Sequence, residues 1–281
     1  MSRTAKLAKA ASVVFVAAAL AACAHRGPRE AQQFNEEPVA QTYNRGGELL
    51  DQRRWSEAVT AFQEVERQHP YSTWARRAIL MTAYAQYQAN QYDDAIESAQ
   101  RFISLHPGNE SAPYAYYLIA ICYFEQILDV GRDQHVTEQA MTALQDVVRR
   151  YPESDYARDA RIKIEMTYDQ LAGKEMEIGR FYLVHDQHLA AINRFRTVIE
   201  NPNFQRTSHV PEALERLVEA YLSVGMTEEA QRAAAILGYN FPGNPWYQAA
   251  YALMQGRGVT QISQPEARRR GWISNTFGRI F

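Results

Sequence analysis

A small residue followed at four and seven positions by apolar ones recurs five times along this chain of 281 residues. The first copy is WSEAVTAFQEV at 55–65, in which Ala58, Phe62 and Val65 carry the pattern and Pro70 ends it. The others are built on Ala95, Ala99 and Phe102; on Ala140, Leu144 and Val147; on Ala191, Phe195 and Val198; and on Ala230, Ala234 and Leu237. Pro107, Pro152, Pro202 and Pro242 close them, and four of the five copies keep 12 residues from alanine to proline. Such self-similarity constrains the fold more than any single motif, because a unit of this size cannot bury its apolar face alone.

The spacing is that of two antiparallel helices per unit, the tetratricopeptide pattern. The alanine lets the second helix pack closely on the first, and residues four and seven positions later share its face. The proline ends the second helix and turns the chain into the next unit. Upstream, Gly46, Gly179 and Val218 each stand 12 residues before their unit's alanine, in the first helix. Asp93, Thr137 and Thr227 are expected to cap second helices, and Ser72, Ser111 and Ser154 to cap first helices. Successive alanines lie 37, 45, 51 and 39 residues apart. The excess is assigned to a loop near 129–136 and to a long first helix in unit four, since 155–186 holds no proline. The fold class is therefore all-α, a superhelix of about five helical pairs without a sheet; the competing arrangement is an irregular helical bundle.

The N-terminus places Arg3, Lys6 and Lys9 before an apolar run at 10–22, too short to span a bilayer, which needs about 20 residues. A basic start, a short apolar stretch and small residues at its end read as a secretory signal. Leu20, Ala21, Ala22 and Cys23 fit the lipobox at which bacterial lipoproteins are cleaved, leaving Cys23 to carry N-acyl diacylglycerol lipid; the alternative is an ordinary signal peptide with an incidental cysteine. Ala24 is not the aspartate that retains lipoproteins at the inner membrane, so the expected location is the periplasmic face of the outer membrane, anchored in its inner leaflet. The other cysteine, Cys122, reads as a small core residue.

With 46% hydrophobic residues, 22% charged residues and a net charge of −2, the chain is globular and offers no basic surface for nucleic acid. The charge is uneven: residues 255–281 carry +4, through Arg257, Arg268, Arg269, Arg270 and Arg279 against Glu266. The domain reading is a signal peptide at 1–22, a lipidated flexible linker at 23–38, the repeats at 39–254 and a basic, flexible tail at 255–281. Trp272, Ile273, Phe277, Ile280 and Phe281 interleave the tail's arginines, which suits an anchor on anionic lipid, a docking peptide or a merely soluble end.

No metal-binding, phosphate-binding or nucleophile motif occurs, so no catalytic residue, metal or other cofactor is assigned. A metal held between His185 and His188 is the weaker reading of a solvated helix end. A stack of helical pairs instead offers a concave surface. Tyr43, Trp55, Tyr71, Trp74, Tyr84, Tyr87 and Tyr92 crowd the first two units; each could serve the core, and together they suit a groove for an extended, partly aromatic peptide.

Three stretches sharpen this: FISLHP at 102–107 leading to APYAYYL at 112–118, RRYPESDYA at 149–157, and LAGKEMEIGRFY at 171–182. With the lipobox and repeats, they resemble the BamD, or ComL-type, family of lipoproteins of the outer-membrane β-barrel assembly machinery, over about 23–250. The resemblance implies a non-enzymatic scaffold that binds the POTRA region of BamA, other lipoproteins of the complex such as BamE, and the C-terminal signals of unfolded outer-membrane proteins. It makes Tyr43, Trp55, Tyr71 and Trp74 substrate-groove candidates, and Arg194, Arg196 and Arg206 docking candidates for BamA. Repeat lipoproteins of the pilotin type, which assist secretin or pilus assembly, share anchor and fold and remain the alternative. A cell-wall enzyme finds no residues left over for a catalytic domain.

Overall fold

The computed structural model describes residues 38–256, so Cys23, the signal and linker before Pro38, and the tail from Arg257 onward lie outside the described residues. The described residues form eleven helices and no strand. Five pairs run α1 (Val39–Asp51) with α2 (Trp55–Gln68), α3 (Thr73–Gln88) with α4 (Tyr92–Leu105), α5 (Ala112–Glu125) with α6 (His135–Arg150), α7 (Asp155–Val184) with α8 (His188–Glu200), and α9 (Val210–Ser223) with α10 (Thr227–Asn240). An eleventh helix, α11 (Pro245–Gly256), follows the fifth pair and buries Ala250 and Met254 against it. Each helix packs on its sequence neighbours. Among alternate helices, contact is substantial only between first helices, α1 with α3, α3 with α5, α5 with α7, and α9 with α11. First helices thus crowd together while second helices spread apart, which makes the first-helix side the inner, concave face.

The signature alanines explain themselves in the packing. Ala58, Ala95, Ala140, Ala191 and Ala230 are all fully buried, so each second helix meets the first with no side chain beyond a methyl between them. Where the next core residue is large, the first helix shrinks to fit. A Cβ added to Gly46 would lie 2.6 Å from the Phe62 ring, and one added to Gly179 would lie 2.4 Å from the Phe195 ring. In units two and five the equivalent pairs are Ala83 with Ala99 and Val218 with Ala234, in which the second helix gives up volume instead.

The turns follow from backbone chemistry. Four of the five first helices end in a left-handed residue, Arg53, Asn90, Asp186 or Gly225, and the next amide bonds five residues back: Arg54 to Leu49 and Gln91 to Gln86 at 2.9 Å, Gln187 to Tyr182 at 2.9 Å, Met226 to Tyr221 at 2.8 Å. These bonds close the helix C-terminus and launch the second helix, so the latter needs no side-chain cap. Asp93 and Thr227 accordingly lie inside their helices, with Gln91 and Met226 at the N-cap, and Thr137 lies inside α6 behind Gln134, where the Asp133 carboxylate accepts from the His135 amide at 2.6 Å. His69, His106, Tyr151 and Phe241 end second helices with φ between −129° and −138°, each forced out of the α region by the proline after it. Ser72 and Ser154 do cap the following first helices, accepting from the Ala75 amide at 3.0 Å and the Ala157 amide at 3.1 Å. Ser111 does not; the Asn109 carboxamide, accepting from the Ser111 amide at 2.8 Å, shapes that turn.

The longer unit has its reason in α7, whose 30 residues outrun the other helices by about 20 Å or more at 1.5 Å per residue. The connection between α5 and α6 covers part of this extra length. Gln170 donates to the Leu128 carbonyl at 2.6 Å, and Lys174 donates to the Gly131 carbonyl at 3.2 Å. One continuous core then runs from Ala172 on α7 to Met254 on α11, whereas the N-terminal units hold several smaller clusters. Cys122 sits fully buried in one of these, where burial pushes its thiol up to about 12 and leaves it inert.

Adjacent glycines give opposite expectations. Gly46→Ala and Gly179→Ala should destabilise by about 1–3 kcal/mol through overpacking against phenylalanine, although alanine favours helix by up to about 1 kcal/mol. Gly47, with nothing within 4 Å of an added Cβ, should become more stable by about 0.5–1 kcal/mol as alanine. Thermal melts of the three variants check this, and Phe195→Leu should restore the Gly179→Ala variant.

Candidate substrate groove and docking surface

In unit one, Tyr43 on α1 lies 5.3 Å from the Phe62 ring and 5.0 Å from the Trp74 ring. The Arg77 guanidinium sits 5.7 Å from the Trp74 ring centre, one helical turn along α3. Burial raises the Tyr43 phenol, and Arg77 partly offsets this. Three rings and a cation thus gather at the end of the unit where α2 gives way to α3. Tyr71, in that turn, is fully exposed. Trp55 opens α2, whose 14 residues separate it from this end by about 20 Å, and packs on the unit's core from the far side. The structure therefore brings Tyr43 and Trp74 together, sets Tyr71 beside them in the chain and places Trp55 apart. Arg77 escaped the sequence reading; its signal was a cation three residues after Trp74 on a helix.

A second set of rings lines the inner face. Tyr84 and Tyr87 on α3, Tyr114 and Tyr117 on α5, and Tyr156 on α7 are all half-buried and all on first helices. Tyr156 lies 5.6 Å from Tyr114 and 5.2 Å from Tyr117. Burial raises the phenols of Tyr87, Tyr114 and Tyr117, and Tyr117 donates a short hydrogen bond to Asp159. Burial alone would push the Asp159 carboxyl up, but the bonds from Tyr117 and Lys163 outweigh it and hold the carboxyl below its usual range. The band crosses three units, beyond the two in which sequence crowding was visible. Its signal was the repeated Tyr-x-x-Tyr spacing of 84/87 and 114/117, one turn apart on successive first helices.

The three arginines do not form one patch. Arg194 on α8 donates to Glu175 on α7 at 3.1 Å, whereas Arg196 donates to Glu200 on its own helix at 2.7 Å. Arg206 is exposed on the loop between α8 and α9. Glu175 also lines a cavity of about 780 Å³ between the 127–134 connection, α7 and the end of α8, with Arg132, Asp133, Lys174 and Phe204. Another cavity, of about 690 Å³, opens on unit one among Arg45, Glu48, Arg54, Glu57 and Glu64; none of the four candidate aromatics lines it. His185 bonds the Phe181 carbonyl through Nδ1 at 2.7 Å and His188 lies 3.9 Å from Asp186; no group suited to a metal ion occurs among the described residues. No described helix is long and apolar enough to cross a membrane.

Glu215 on α9 is the one buried carboxylate of the C-terminal units, at 3% exposure among the described residues. Burial pushes its carboxyl up to about 7, against the downward pull of Arg216. A carboxyl raised in the folded state binds its proton more tightly there than in the unfolded chain, so its contribution to stability is present at low pH and is lost as pH rises. Stability should fall between pH 4.5 and about 7, and Glu215→Gln should flatten that slope in melts across this range.

The outer membrane lipoprotein family model YfiO matches residues 35–236. The outer membrane protein assembly factor BamD of Caulobacter vibrioides is 59% identical over 254 residues, 90% of this chain and 83% of that protein. The factor of the same name from Rickettsia prowazekii is 44% identical, covering 78% of this chain and 86% of the relative. That of Neisseria meningitidis serogroup A is 31% identical, covering 83% and 91%. The matched region takes in nine of the eleven helices completely and α10 as far as residue 236, so the likeness spans the inner tyrosine band and the arginine-bearing helix alike. The chain belongs to the YfiO family of outer membrane lipoproteins.

Proposed function

We propose that the chain is a non-catalytic scaffold of outer-membrane protein assembly, held by lipid on Cys23 at the periplasmic face of the outer membrane. The observation that carries this is the 59% identity, over nine-tenths of the chain, to a protein named as an outer membrane protein assembly factor. Tethering to a surface raises the effective concentration of a weak binding groove near its partners without any new contact. Weak, sequence-tolerant engagement suits a substrate that must be handed on, and ring faces provide it at low cost in side-chain entropy.

In this reading the substrate is the extended C-terminal segment of an unfolded outer-membrane protein. Tyr43, Tyr71 and Trp74 receive its aromatic side chains and Arg77 its terminal carboxylate, while the inner tyrosines of α3, α5 and α7 continue the track. Trp55, on the other end of unit one, contributes at that edge. The C-terminal units dock the partners: the POTRA region of BamA through Arg194, Arg196 and Arg206, and small lipoproteins such as BamE. Arg194 and Arg196 already hold carboxylates, so docking there exchanges Glu175 and Glu200 for acidic groups of the partner. The continuous core of α7–α11 keeps those helices rigid for that purpose.

A fluorescent peptide copying the C-terminus of an outer-membrane β-barrel protein tests the groove. Trp74→Ala and Arg77→Ala should each weaken binding by about tenfold. Tyr71→Ala should weaken it while shifting stability by less than about 0.5 kcal/mol, because the side chain is fully exposed. Circular dichroism confirms folding, and unchanged affinity in all three variants would remove the groove from unit one.

A further inference from the structure

The C-terminal end of the solenoid carries a groove that the assembly reading does not use. It lies between α9 and α11, has a volume of about 580 Å³, and is lined by Glu215, Arg216 and Glu219 on one side and by Ala249, Ala252, Leu253 and Gly256 on the other. Both helices are first helices, so the groove opens on the inner face. Its floor is unusual. Glu215 is almost wholly buried, yet its Oε2 has no hydrogen-bond partner. Arg216 stands beside it, with Nε 3.4 Å from that oxygen in poor geometry for a bond, and is engaged elsewhere. Its Nη1 donates to Glu219 at 2.7 Å, and its guanidinium lies 5.5 Å from the Trp246 ring centre. Glu212, the third carboxylate of this helix face, takes Arg180 from α7 at 2.9 Å. Three carboxylates thus meet two guanidiniums, and of those that line the groove Glu219 is the half-exposed one. On the α11 side Leu253 is exposed, as is Tyr251, whereas Ala250 and Met254 of the same helix are buried. A carboxylate floor with an apolar wall fits an arginine followed by an aromatic residue.

The segment that starts where this groove ends has that chemistry. Gly256 lines the groove, and residues 257–281 follow it with five arginines, one glutamate and the apolar residues Trp272, Ile273, Phe277, Ile280 and Phe281. The run Arg268, Arg269, Arg270 stands 12 to 14 residues beyond Gly256, and Trp272 two further on. A chain of that length reaches up to about 40 Å, whereas neighbouring packed helices lie only about 10 Å apart. The body from Cys23 to Met254 carries −9, so the charges of body and tail are complementary. We propose that the chain's own C-terminal segment, residues 257–281, docks in the α9/α11 groove with an arginine of 268–270 on Glu219, beside the buried Glu215, and Trp272 against Leu253. The tail then acts as an intramolecular ligand of the C-terminal units, the part of the scaffold to which the assembly reading assigns docking. A partner that claims this face must displace it.

Hydrogen exchange on the full chain tests this. Amides of α9 and α11 should exchange about tenfold more slowly in the natural chain than in a variant with Arg268, Arg269 and Arg270 changed to Ala. Glu219→Gln, at a half-exposed position that folding tolerates, should lose the same protection, as should Glu215→Gln; raising salt should reduce it in the natural chain. Equal exchange in the natural chain and the arginine variant would overturn the proposal. So would protection that appears only when phosphatidylglycerol vesicles are added, which would make the tail a lipid anchor. These outcomes are independent of whether the groove of unit one binds substrate peptides.

Discussion

A pair of helices can stack into a superhelix only if its members approach closely, and here that approach is set by one small residue per unit. Ala58, Ala95, Ala140, Ala191 and Ala230 are each fully buried at the crossing of second helix on first. Their smallness alone does not suffice, since the volume four residues on must also be met from the facing helix. Units one and four meet a phenylalanine with Gly46 and Gly179, and units two and five meet an alanine with Ala83 and Val218. The crossing thus sets a large residue only against glycine and otherwise pairs small residues, which avoids a clash in either case. With the pairs fixed, first helices crowd inward, and the half-buried tyrosines of α3, α5 and α7 fall along one concave track.

Much of this was legible in the chain because the repeat is spaced by helix geometry. The alanine-to-proline interval set the length of each second helix, and proline in the next position drove His69, His106, Tyr151 and Phe241 out of helical backbone. The long α7 and the connection that packs on it followed from the excess spacing of unit four and unit three. Local capping was less legible. Asp93 and Thr227 have the right chemistry for caps, but a left-handed residue and its backbone bond had already closed the preceding turn, and ahead of Thr137 the Asp133 carboxylate, accepting from the His135 amide at 2.6 Å, had already started the helix. The helix began sooner and carried them inside. Ser111 lost to Asn109 in a similar contest between side chain and backbone. The helix α11 was absent from the five-pair reading because it lacks a second helix to complete the pattern.

The candidate sites were less legible still, since they depend on which helix ends meet. Four aromatics close together in sequence fall at opposite ends of unit one, Trp55 at one and Tyr43 with Trp74 at the other. Three arginines grouped by sequence are separated by their partners, Arg194 facing α7 and Arg196 bonded along its own helix. The tyrosine track and the groove at Glu215 emerge only when first helices are laid side by side. Arg77 sits over Trp74, three residues away, while the tyrosine track and the setting of Glu215 draw on helices 30 or more residues away.

The central claim is that this superhelix serves as an anchored scaffold in assembling outer-membrane β-barrels. Affinity purification of the lipidated chain from outer membranes in mild detergent, with mass spectrometry of what accompanies it, tests this most directly. The account predicts a β-barrel protein bearing POTRA domains at near-stoichiometric level. Recovery of a secretin, or of no barrel protein, would contradict it.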